Sequence, residues 1–174
     1  MNRLQQLDLS LCLQINRAGA YPLLTGFFRI ISRLGNGVFW YSMMIALPIV
    51  YGTPGINTTL HMLTVAAPSL LAYKYLKRST SRPRPCNVLA HITQHGPTLD
   101  QYSFPSGHTL HAVAFTLVAC HHFPGFVWVL APFTLLVAIS RPLLGLHYPS
   151  DVLAGAVIGA VVALGCQQLP FFFI

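Results

Sequence analysis

The chain has 174 residues, of which 54% are hydrophobic and 7% are charged, where a soluble domain carries roughly 25% charged residues. So few charges cannot keep a compact surface wet. With a mean hydropathy of +0.60, this excludes a typical soluble enzyme, a disordered chain and a free nucleic-acid binder, and it predicts a polytopic membrane protein. The 10 Lys and Arg against 3 Asp and no Glu give a charge of +7. Such an excess suits an anionic partner: lipid headgroups, phosphate or, were the chain soluble, nucleic acid.

Residues 4–16 carry Leu4, Leu7, Leu11 and Ile15 on one helical face, with Asp8 and Asn16 elsewhere. This predicts an amphipathic helix lying at the interface rather than a signal peptide. Residues 22–34 are more apolar but short, with Arg29 and Arg33, and read as a second interfacial or partly embedded helix. Five spans follow, at roughly 36–53, 57–76, 107–122, 125–141 and 150–169, each near the lower limit of about 20 residues for a crossing. Trp40, Tyr41 and Tyr51 serve as interface anchors, and Gly155, Gly159 and Gly165 as sites of close helix packing. The tail Phe171–Phe173 reads as a further anchor. The expected fold is all-α: a polytopic membrane helix bundle of about five transmembrane helices plus N-terminal amphipathic helices. It forms a single domain over 1–174, with interfacial helices at 1–35 and the catalytic bundle at 36–169.

Residues 78–105 form the one long polar segment, rich in Pro. With five spans, the loops 77–106 and 141–149 share one membrane face, so their ionisable residues can meet. Lys74, Lys77, Arg78, Arg82 and Arg84 hold half of the basic residues. Cys12, Cys86, Cys120 and Cys166 form no C-x-x-C pair, so no disulfide or zinc site is expected. His91 and His95 have helical metal-ligand spacing, but Pro97 and the loop composition argue against a metal there. His61 reads as a packed polar residue, His121 and His122 as solvated at the opposite face, and His111 as facing the site or another helix.

Three clusters converge on the shared face: Lys77 to Pro85, Pro105-Ser106-Gly107-His108, and Ser140-Arg141 with His147 and Asp151. Together they read as a phosphate site. Lys77, Arg84 and Arg141 supply positive charge, and Arg presents a planar fork to phosphate oxygens. Ser106 and Gly107 stand where a loop enters a helix, where free amides and the helix dipole favour an anion. Asp151, four residues after His147, can orient its ring, leaving the other nitrogen to attack phosphorus. His108 can protonate the leaving oxygen and later deprotonate water. Three fixed cations do the electrostatic work, so this inventory requires no metal or other cofactor. Arg82 joins the site or braces the loop. Pro142 biases Arg141 away from helical geometry.

The same three clusters resemble the motifs of the type 2 phosphatidic acid phosphatase family of membrane lipid phosphatases. The first motif is matched by Lys77 and Arg84-Pro85, the second at 105–108, and the third by Ser140, Arg141, His147 and Asp151, in order and with full spacing. The resemblance covers roughly 36–169. It implies a metal-independent lipid phosphatase with His147 as the nucleophile forming a phosphohistidine, Asp151 orienting it and His108 as acid/base. Lys77, Arg84, Ser106, Gly107 and Arg141 would hold the phosphate. Short bacterial members acting on undecaprenyl diphosphate look most similar. Phosphatidic acid, phosphatidylglycerol phosphate and lipid A 1-phosphate are alternative substrates. An anion transporter, a metal-dependent hydrolase and a silent lipid-binding relative are the rival classes. The resemblance suggests the extracytoplasmic face of a bacterial inner membrane, whereas the positive-inside rule points the basic face to the cytoplasm.

Overall fold

A computed structural model describes residues 3–98 and 100–168. The helices are α1 (Arg3–Arg17), α2 (Pro22–Arg33), α3 (Phe39–Tyr51), α4 (Thr53–Thr80), α5 (Pro85–Val88), α6 (Gly107–His122), α7 (Val127–Leu143) and α8 (Pro149–Gln167). Among the described residues the one β-type pairing is an isolated bridge between Pro83 and Tyr102. The chain folds as an all-α membrane bundle.

The sequence places a boundary at residue 35. In the structure α2 runs into α3 through a kink at 34–38, where Gly37 takes φ +115°, a conformation open to glycine because it lacks Cβ. Together the two pieces make the 30-residue apolar stretch Pro22–Tyr51, which joins Pro124–Leu143 and Pro149–Gln167 as the helices long and apolar enough to cross a membrane. The segment 22–34, read from the sequence as interfacial or partly embedded, packs against α7 and meets α3 at this kink. Helix α4 has 28 residues and reaches about 42 Å at 1.5 Å per residue, so Lys77 lies on its last turns rather than in the loop. Helix α6, only 16 residues long, is wrapped by α4, α7 and α8.

The core is built from Trp40, Met44, Met62, Val65, Phe115, Val118 and Val137. Outward positions are equally apolar: Leu23 is 91% exposed and Trp128 83%. Such faces suit lipid, not water. Helix α1 follows the same inverted logic. Its Leu7 and Leu11 are exposed, whereas Asp8, Cys12 and Asn16 are buried against the bundle. Asn16 donates to the Leu143 and Thr93 carbonyls at 2.9 and 3.0 Å and accepts from the Thr93 amide at 2.9 Å. This ties the long loop to the end of α7.

Two of the three expected packing glycines do that work. A Cβ on Gly155 would lie 2.5 Å from the Ser106 carbonyl oxygen, and one on Gly159 2.3 Å from that of Leu110. The close approach of α8 to α6 brings Asp151 beside the start of α6, and the Ser106 amide donates to the Asp151 carbonyl at 3.0 Å. Gly165 faces open space. The Phe171–Phe173 tail lies outside the described residues.

Candidate active site

All three sequence clusters meet at one end of the bundle. Tyr73 and Lys77 stand one turn apart on α4. Arg82, Arg84 and Asp100 come from the loop, His108 from the first turn of α6, Arg141 from the last turn of α7, and His147 and Asp151 from the α7–α8 junction. Lys77, Arg84, Arg141, His147 and Asp151 are all buried, so four elements enclose the group.

Arg84 anchors the cluster. Its Nη1 donates to the Leu146 carbonyl at 2.6 Å and lies 3.4 Å from His147 Nε2. Its Nε donates to the Asp100 carbonyl at 3.0 Å and its Nη2 to Asp100 Oδ1 at 2.7 Å. Lys77 also binds Asp100 Oδ1 and donates to the Tyr102 carbonyl at 2.8 Å. Tyr73 donates to Asp100 Oδ2 at 2.5 Å. Burial alone would raise the Asp100 pKa. Bonds from Lys77 and Tyr73 and the charges of Lys77 and Arg84 outweigh it, holding the carboxyl below its ordinary value.

His147 sits in the loop with Nε2 towards Arg84. Its Nδ1 is 3.7 Å from Asp151 Oδ2, adjacent but beyond hydrogen-bond length. Asp151 Oδ2 instead accepts from the Tyr148 amide at 2.9 Å, and Oδ1 accepts from Arg82 Nη1 at 2.7 Å. Burial, then the charges of Arg141, Arg84 and Lys77, push the His147 imidazole well below the ordinary histidine range, so the ring is neutral.

Arg141 remains helical although Pro142 follows it: α7 runs on to Leu143, and Pro142 withholds the amide that would bond the Ala138 carbonyl. The end is closed by Leu144, Gly145 and Leu146 amides donating to Ser140, Pro142 and Arg141 carbonyls. Arg141 Nη1 donates to Ser32 Oγ at 2.5 Å and its Nε has no partner. Ser140 Oγ donates to its own helix, to the Val137 carbonyl at 2.6 Å. The Ser106 amide, expected as an anion donor, is taken by Asp151, which leaves the amides of Gly107 and His108 on the first turn of α6.

His108 and His111 line an apolar cavity of about 260 Å³ with Trp40, Met44, Leu63 and Phe115. His108 also shares a smaller cavity with Arg141 and Ser32. At the other end of the bundle, His61 Nδ1 lies 3.0 Å from His122 Nε2, so His122 is half-buried and paired, while His121 is exposed. His91 and His95 stand in a turn and extended chain, without the helical spacing that a metal pair needs.

The PAP2 superfamily pattern matches residues 58–174. The chain belongs to the PAP2 superfamily. It is 28% identical over 147 residues to an undecaprenyl-diphosphatase of Sulfolobus acidocaldarius, across 84% of this chain and 70% of that one. It is 27% identical to a lipid A 4'-phosphatase of Porphyromonas gingivalis, across 93% of this chain and 72% of the relative. The crystal structure of Aquifex aeolicus LpxE superposes with a TM-score of 0.76 at 29% identity, covering 94% of this chain and 96% of that one. This PAP2 protein is therefore an integral membrane enzyme of the phosphoric ester hydrolase class.

Sequence reasoning missed Asp100 and Tyr73 in the PAP2 site. Asp100 is one of three acids in the chain, and an acid in a segment so rich in cations is a signal of pairing. Tyr73 precedes Lys77 by four residues and so shares its helix face. Arg82 also acquires a definite place, as the clamp on Asp151, with its guanidinium 3.9 Å above the Tyr148 ring.

Proposed function

We propose that this PAP2 protein hydrolyses the terminal phosphate of a lipid phosphate or diphosphate, preferably undecaprenyl diphosphate, through a phosphohistidine on His147. The observation that carries the reading is a neutral, buried imidazole whose Nε2 faces Arg84 at 3.4 Å, with Lys77 and Arg141 close enough to depress its basicity. A neutral ring keeps its lone pair for phosphorus, and the cations stabilise charge on the phosphoryl oxygens. In the first step Nε2 bonds to the terminal phosphorus, the bond from that phosphorus to its bridging oxygen breaks, and His108 gives that oxygen a proton, so that the lipid leaves as a monophosphate (from a diphosphate) or an alcohol (from a monophosphate). In the second, water attacks phosphorus, His108 takes its proton, and the P–N bond breaks to release orthophosphate and the free ring. Asp151 orients His147, while Gly107, Ser106, Lys77, Arg84 and Arg141 cradle the phosphate. The fixed cations do the work that a metal does elsewhere, so no cofactor enters.

A lipid substrate is supported by the apolar cavity that reaches His108 from the side of Trp40 and Met44. The preference for undecaprenyl diphosphate follows the similarity to the Sulfolobus acidocaldarius undecaprenyl-diphosphatase. Lipid A 1-phosphate, phosphatidic acid and phosphatidylglycerol phosphate form the comparison panel. An anion transporter would have no use for His147 beside Asp151. Orthophosphate release from these lipids in detergent with excess chelator is the test. Activity should persist with chelator, His147→Ala should abolish it, and rapid quenching should trap a phosphorylated ring. Normal turnover by His147→Ala would overturn the reading.

The proposed site faces the outside of a bacterial inner membrane. An impermeant thiol reagent should label Thr98→Cys, in a Cys86→Ser background, in intact cells. Labelling only after lysis would place the site inside.

A further inference from the structure

Asp100 already bonds the two side chains proposed to bind phosphate first. One oxygen, Oδ1, accepts from both Lys77 Nζ and Arg84 Nη2, and the other accepts from Tyr73 at 2.5 Å. Arg84 also donates through Nε to the Asp100 carbonyl and through Nη1 to the Leu146 carbonyl, with Nη1 3.4 Å from His147 Nε2, and Lys77 is also engaged by the Tyr102 carbonyl. With Asp100 in place, the carboxylate holds one donor of each cation, and a phosphate oxygen is left only the third proton of Lys77 Nζ and the second of Arg84 Nη2. A phosphate dianion set beside the carboxylate would also meet like charge at close range. A cavity of about 650 Å³, lined by Asn87, Gln94 and Gln101, adjoins Asp100 and offers its side chain room to withdraw.

We infer that Asp100 is a specificity-determining residue: its carboxylate holds the place of the phosphate on Lys77 and Arg84, and only an anion that bonds that pair better displaces it. The inference rests on the assignment of Lys77 and Arg84 to phosphate made above. The physical consequence is a competition. Affinity for any anion is reduced by the fraction of molecules whose cradle is vacant. A singly charged anion gains too little to displace Asp100. A phosphate dianion, with three oxygens, gains enough. After hydrolysis the returning carboxylate helps expel orthophosphate, which would otherwise remain on a bare cradle as a product inhibitor.

The test compares the detergent-solubilised full chain with its Asp100→Asn and Tyr73→Phe variants. Equilibrium binding of radiolabelled orthophosphate is read directly, and KM and kcat are read on the lipid. In Asp100→Asn the orthophosphate Kd and the lipid KM should each fall at least tenfold, with a smaller change in kcat, and chloride should become an inhibitor. Tyr73→Phe, which keeps the charge but loosens its hold, should tighten orthophosphate binding a few-fold. If Asp100→Asn does not fold, Tyr73→Phe decides alone. Unchanged or weaker orthophosphate binding would overturn the inference and make Asp100 a brace for the two cations. A wild-type chain that binds orthophosphate but releases none from any lipid would sink the proposed function, while the binding comparison would still judge Asp100.

Discussion

Arg82 and Asp151 form the short ionic contact at the start of α8: Nη1 donates to Oδ1 at 2.7 Å, while His147 stands 3.7 Å from the same carboxylate. The other arm of the guanidinium, Nη2, donates to Asp8 Oδ2 at 2.6 Å. Asp8 in turn accepts from the Ser150 amide at 2.9 Å and from the Ser150 hydroxyl at 2.5 Å. Helix α1 therefore reaches the proposed active-site end through Arg82 and braces the acid that faces His147.

Arg82→Ala should leave Asp151, which is fully buried, without its charge partner. Removing one member of a buried pair costs about 3–5 kcal/mol, so thermal unfolding in detergent should move down and turnover should fall. Arg82→Lys keeps the charge but cannot fork between two carboxylates, and should lie between Arg82→Ala and the wild type. Asp8→Asn combined with Arg82→Ala should cost less than the sum of the two, because both remove the same link.

The acid response should come partly from His147. Its pKa in the folded chain is depressed by burial and by the charges of Arg141, Arg84 and Lys77, well below the ordinary 6.5. An imidazole buried neutral contributes stability that is complete above its unfolded pKa, because below that value the unfolded chain binds the extra proton. That contribution is lost as pH falls from 6.5 through the folded pKa. Unfolding scans between about pH 7 and 5 should therefore slope less in His147→Asn than in the wild type. In kcat/KM, the acid limb set by His147 should lie below the usual histidine range.

His108→Ala should separate the two chemical steps. The alkoxide leaving from a lipid monophosphate needs a proton, so turnover of that substrate should fall by roughly 10²–10⁴, and turnover of a lipid diphosphate, whose leaving group is a phosphate, by less. A nitrophenyl phosphate needs no such help, so it should still phosphorylate His147. Mass analysis after a rapid alkaline quench, which spares the acid-labile P–N bond, should find the modified ring accumulating, because water attack then lacks its base. Equal losses with both substrates would remove the acid role.

The contact of α6 with α8 should tolerate nothing larger than glycine. Gly159→Ala would set a Cβ 2.3 Å from the Leu110 carbonyl oxygen, and overpacking of this kind costs typically about 1–3 kcal/mol. Activity should fall with it, since His108 and Asp151 ride on the two helices that must separate. Gly165→Ala meets nothing within 4 Å and should be neutral or stabilising by about 0.5–1 kcal/mol through helix propensity. Differential scanning of the two variants distinguishes a packing site from a surface one.

The motif spacings singled out Lys77, Arg84, His108, Arg141, His147 and Asp151, and the structure gathers all six at one end of the bundle. Composition alone required lipid around the chain. For α1 the same local signals left the packing face open, since amphipathicity reports two faces without saying which one meets protein; with lipid outside, Leu7 and Leu11 turn outward and Asp8 and Asn16 inward. They split Pro22–Tyr51 at Gly35-Asn36-Gly37, where Asn36 and Gly37 leave helical geometry and α2 meets α3 at a kink. The sequence by itself determined an all-α membrane protein and the ends of the helices that carry its charges. Only the tertiary structure decided which charges pair. Asp8 meets Arg82 across 74 positions and Lys77 meets Asp100 across 23. Such partners are chosen by helix packing and by the cost of leaving a buried charge alone, neither of which any short window of residues contains.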